Sequence, residues 1–104
     1  MPDHADILRQ IQGLLDAGQT PALDELEDTL TSGYAAALAL EAERWRIERG
    51  IAEAAATLGD GEGGRTQELA RLGQRLSVAA DDLARLRSML GTLRDRADAA
   101  RAAA

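Results

Sequence analysis

The segment GDGEGGRT, residues 59–66, can be read in two ways that lead to different proteins. A glycine, four residues, a second glycine, a basic residue and a hydroxyl match the outline of a phosphate-binding P-loop, GxxxxGK[ST]. Such a loop works because a strand ends in it, its backbone N–H groups line a concavity and its lysine reaches the outer phosphates. Here Leu58 closes a helical pattern, Arg65 stands at the lysine position, and Asp60 and Glu62 put two negative charges where phosphates would lie. The other reading is a bend, with glycines to leave one helix and Thr66 to cap the next, Glu68 lying in its first turn. The flanking sequence takes the second reading, and no cofactor is expected.

On the N-terminal side of the bend, alternating steps of three and four residues connect Leu23, Leu26, Leu30, Gly33, Ala37, Leu40, Arg44, Ile47, Ile51, Ala54 and Leu58, the seam of a heptad repeat with Arg44 as its only charge. On the C-terminal side the same steps connect Leu69, Leu72, Leu76, Ala79, Leu83, Leu86, Leu90, Leu93, Ala97, Ala100 and Ala104. In an antiparallel pair, facing seam positions have a constant sum of residue numbers. Ala54 with Leu69, Ile47 with Leu76, Leu40 with Leu83 and Leu30 with Leu93 all add to 123. Sizes are matched in this register, since Gly33 faces Leu90, Ala37 faces Leu86, Leu26 faces Ala97 and Arg44 faces Ala79. Residues 20–59 hold three arginines against eight acids and residues 65–104 hold eight arginines against five, so the halves attract. Glu27 and Glu41 are expected opposite Arg94 and Arg87 with Tyr34 between those arginines, while Glu43 near Asp82 is a mismatch eased by Arg44 or Arg46.

Before this pair comes a shorter amphipathic segment, with Asp3 as cap, Ile7, Leu8, Ile11, Leu14 and Leu15 as its stripe, and Gly18 as its stop. Thr20-Pro21 reads as a hydroxyl cap followed by proline at the first helical position, with Asp24, Glu25, Glu27 and Asp28 near the positive end of the dipole. The expected fold is all-α: one domain over residues 1–104, with helix one at about 4–17, helix two at about 21–58, a turn at 59–65 and helix three at about 66–102. It is a long, coiled-coil-like antiparallel hairpin with a short N-terminal helix folded onto its open end.

Composition agrees with this fold and narrows the function. Alanine and leucine dominate, phenylalanine is absent, Val78 is the only valine, and the prolines are at positions 2 and 21. A chain of 104 residues buries a smaller fraction of its surface than a large one, which favours a partner subunit. A net charge of −6 argues against nucleic acid and anionic membrane surfaces as partners. MPDHAD lacks the basic and apolar regions of a secretory leader, and no stretch approaches the ~20 apolar residues of a membrane span, so a cytoplasmic protein is expected. No cysteine is present, which removes disulfides, thiolate metal sites and a cysteine nucleophile and leaves the redox compartment open.

Chemistry-bearing groups do not cluster in the pattern. His4 is the only histidine and reads as a polar residue near a frayed terminus; no Glu-x-x-His occurs, and Glu41, Glu43, Glu48, Glu53 and Glu68 all miss the seam. A di-iron centre, a catalytic triad and a calcium loop each lack their residues. The expectation is a protein that is not an enzyme, with no catalytic, cofactor or metal residues. Arg44 is read as fixing register or snorkelling beside Ala79. Glycines come level in the hairpin at Gly50 with Gly73 and Gly33 with Gly91, marking close approach of another helix, a bend in the rod, or drift in a GC-rich gene.

Tyr34, Leu38 and Trp45, continuing to Ala52, form a second apolar stripe on helix two outside the seam. Helix one, about 21 Å long, can cover the stretch near Leu23 to Tyr34 but hardly reaches Trp45. These four residues are therefore the expected protein interface, serving a homodimer in which two hairpins make a four-helix bundle, or a docking face for a different protein. The expected function is a scaffold, adaptor or assembly protein. The alternative is a secreted effector or its chaperone: chains of about 100 residues with two long helices resemble the WXG100 secretion substrates in size and shape. The hallmark Trp-x-Gly of that family is absent from the bend, Trp45-Arg46-Ile47 sits inside a helix, and the tail ADAARAAA lacks the family's tyrosine-based export signal.

Overall fold

In the computed structural model of the chain, residues 4–18, 21–57 and 63–103 are described, with side chains at all of these except 63–65. They form three helices, α1 (His4–Asp16), α2 (Leu23–Ala56) and α3 (Gly63–Ala103), and no strand occurs among the described residues, so the fold is all-α. The molecule measures 64 × 21 × 19 Å. A helix of 41 residues is about 61 Å long, so α3 alone sets the long dimension.

Both long helices bury their seam residues. Leu26, Leu30, Leu40, Ile47 and Ala54 of α2 are buried, as are Ala79, Leu83, Leu86, Leu90, Leu93 and Ala97 of α3. Cross-helix ion pairs give the direction: Glu27 meets Arg101, Glu41 meets Arg87 and Glu43 meets Arg75, so numbers rise along α2 as they fall along α3. Gly33 lies directly under Leu90, with the Ile11 Cδ1 methyl 3.4 Å from where a Cβ would sit. Gly33 thus marks the point where three helices approach, and its lack of a side chain gives the Leu90 side chain its place there.

Helix α1 lies along one side of the α2–α3 pair. Ile7, Leu8 and Ile11 are buried in one cluster with Leu26, Leu30, Leu40, Leu83, Leu86 and Leu93, and Leu14 and Leu15 pack against it. Polar contacts fix its two ends: His4 Nε2 is 3.0 Å from Asp82 Oδ2, and Arg96 Nη1 donates to the Leu15 carbonyl at 3.0 Å. Between them Gln10 Nε2 donates to Thr29 Oγ1 at 3.3 Å, satisfying the one buried polar side chain among the described residues. His4 is therefore a tertiary contact, not the loose terminal residue expected from its position. The rod has two unlike halves, a three-helix half reaching Leu40 and Leu83, and a two-helix half beyond it in which Ile51, Leu69, Leu72 and Leu76 are only half-buried.

Helix boundaries differ from the sequence expectation at three places. Helix α2 starts at Leu23, not Pro21: Ala22 is extended at φ −63°, ψ 146°, makes no side-chain cap, and its carbonyl accepts the Leu26 N–H at 3.1 Å. Pro21 instead lies in the approach, where its fixed φ also suits extended backbone; the proposed Thr20 cap lies outside the described residues, as does Asp3. Helix α2 ends at Ala56, with the Thr57 hydroxyl donating to the carbonyls of Glu53 (3.4 Å) and Ala54 (3.2 Å). Helix α3 begins at Gly63, so residues 63–65 are helical and not part of the turn. A cost of about 1 kcal/mol per glycine relative to alanine is too small to unwind the first turn of so long a helix. Leu58, Gly59, Asp60 and Glu62, on which the P-loop and bend readings rest, lie outside the described residues.

Candidate functional site

With the seam at heptad positions a and d, Glu27, Tyr34, Glu41 and Glu48 occupy e of α2, and Thr29, Ala36 and Glu43 occupy g. Antiparallel packing places e beside e of the facing helix and g beside g, which makes two distinct flanks. The g flank is the one α1 covers: Thr29 and Met89 are buried there and Asp82 holds His4. The e flank faces away from α1. Tyr34 is consequently 44% exposed, and the expectation that helix one covers the chain as far as Tyr34 is corrected: α1 runs beside that stretch on the opposite flank.

Leu38 and Trp45, at position b, are 68% and 72% exposed, and Ala52 in the same row is also exposed. Between α2 and α3 beside this row lies an open groove of about 400 Å³ whose apolar lining comes from Tyr34, Ala37, Leu38 and Leu90, with Arg87 and Arg94 at its α3 edge. Val78, 51% exposed, is a large apolar residue outside the expected interface; it borders a second groove with Leu40 and Ala79, just past the N-terminus of α1. Its isolation in the α3 sequence, between Ser77 and Ala79, leaves no periodic signal to reveal it.

Charges on the flanks settle differently from the sequence reading. Glu41 pairs with Arg87 as expected, but Glu27 pairs with Arg101 at 3.3 Å, not with Arg94: both observed e-flank pairs add to 128, whereas Glu27 and Arg94 add to 121. The mismatch of Glu43 and Asp82 is relieved by neither Arg44 nor Arg46; Arg75 comes 3.6 Å from Glu43, and α1 delivers His4 to Asp82. Arg44 is exposed and bonds Glu48 one turn along at 3.0 Å, leaving the seam beside buried Ala79. All these pairs are partly exposed, so each is worth about 0.5 kcal/mol, and those that join α2 to α3 select register more than they stabilise.

Among the described residues no group of three or more His, Asp or Glu side chains converges as metal ligands do, and no helix is long and apolar enough to cross a membrane. The feature that stands out is the row of exposed apolar side chains along the outer side of α2. Comparison with family models, characterised proteins and solved structures returns no match for this chain.

Proposed function

We propose that this chain is a non-enzymatic helical scaffold or adaptor that acts as a homodimer, two antiparallel hairpins joining through Tyr34, Leu38, Trp45 and Ala52 so that four long helices come together. The exposure of Leu38 and Trp45, at the middle of α2 and far from either end of the rod, is the observation that supports it. Burying a side chain of this size stabilises by about 1.5–3 kcal/mol, and tryptophan and tyrosine are the residues interfaces most often use as anchors. Acidic net charge and the scattered placement of titratable groups favour protein over nucleic acid or substrate as the partner.

Light scattering over a dilution series tests this reading. A mass of twice 11.0 kDa, falling to one chain on dilution and at all concentrations in Trp45→Glu with helix content retained, is the expected result. A wild-type monomer at micromolar concentration would overturn the dimer and leave the stripe to a different protein.

A further inference from the structure

Around the outer side of α2, a second heptad seam runs through positions b and f: from residue 35 onward it is Ala35, Leu38, Ala42, Trp45, Ala52 and Ala56, interrupted only by Arg49, and toward the start of the helix the row continues as Asp24, Asp28 and Thr31. Every one of these residues is exposed. At about 100° per residue this row lies roughly 150° around α2 from the seam that holds α3, so α2 is built to be sandwiched between two helices. Building on the dimer proposed above, we infer that the second occupant is α2 of another copy, packed antiparallel with facing residue numbers adding to 80.

Three observations select this arrangement. In antiparallel pairing b faces f, so each large residue meets a small one: Trp45 lies over Ala35 of the other copy, and Leu38 over Ala42. In a parallel pairing each position meets itself, which stacks Trp45 on Trp45, sets Arg49 against Arg49 in the seam, and aligns the acidic starts of both helices. Next, charges become complementary. Arg49 comes level with Thr31 of the partner copy, one turn from its Asp28, and neither Asp28 nor Arg49 has an ion pair among the described residues of its own chain. Finally, the two-fold axis passes level with residue 40, midway between Leu23 and Ala56, so this register overlaps the two α2 helices along their whole length. Beside the axis Glu41 approaches its own copy, and the Arg87 bound to each neutralises that pair. The four long helices then lie in a row, α3 and α2 of one copy followed by α2 and α3 of the other.

The chain has no cysteine, so single spin labels report one distance each. Ser32→Cys, Ala39→Cys and Glu53→Cys place nitroxides at exposed position c, beside the row. At 1.5 Å per residue the two labels of a dimer are offset along the axis by about 24, 3 and 39 Å respectively, to which the lateral separation of two packed helices adds. Pulsed dipolar spectroscopy is expected to give that order, Ala39→Cys shortest and Glu53→Cys longest. Three equal short distances mean parallel packing and overturn the register, and three distances in another order overturn it equally. Sedimentation of the same samples separates this from failure of the dimer: monomers with no dipolar signal overturn both readings.

Discussion

Gly33 shows how one residue without a side chain places a whole helix. A Cβ there would run into Leu90, itself 3% exposed, and would press on Ile11 of α1. Gly33→Ala therefore gains up to about 1 kcal/mol of helix propensity but meets an overpacking cost of about 1–3 kcal/mol, and a net loss of about 1 kcal/mol is expected. Gly73 has open space where its Cβ would be, so Gly73→Ala is expected to stabilise by about 0.5–1 kcal/mol. Urea unfolding midpoints of the two variants should move in opposite directions. An equal rise in both would mean that Leu90 yields freely and that the three helices are not tightly locked at this point. The facing of Gly33 and Leu90 could be read from residue numbers, because seam geometry is periodic; the arrival of Ile11 could not, because no repeat relates α1 to the other helices.

At the scale of elements, α1 divides the rod into a half with three helices and a half with two. Ile11 is fully buried at the centre of the three-helix half, and Ile11→Ala is expected to cost about 2–5 kcal/mol, a large share of the stability of a small domain. Hydrogen exchange should show the same division: amides in 26–40 and 83–97 are expected to exchange more slowly than those in 44–57 and 66–79, where Ile51, Leu69, Leu72 and Leu76 stay half-exposed. Uniform protection along α2 would show that the two-helix half gains cover from elsewhere. Three helices, and the residues facing the seam, are legible in the sequence because leucine and alanine recur at fixed steps. The side on which α1 docks is not, since it depends on contacts such as His4 with Asp82, which are 78 residues apart. The starts of α2 and α3 differ from the sequence expectation for a related reason. Proline and glycine state what a backbone tolerates, and both a place before the helix at Pro21 and helix at Gly63 fall within that tolerance.

For the whole molecule, the exposed row on α2 was legible as periodicity, whereas its occupant depends on surfaces no single chain contains. Shape supplies a test. Residue 40 of α2 lies level with Leu83 near the middle of α3, so a two-fold axis at that level passes through the middle of the rod and not its tip. Two rods overlapping fully in this way widen the particle with little change in length. Small-angle scattering of the proposed dimer is expected to give a cross-section about twice that of a monomeric Trp45→Glu variant, and a maximum dimension far short of twice the 64 Å of one chain. Association through an end of the rod would nearly double that length, and would remove Leu38 and Trp45, which lie close to its middle, from the contact.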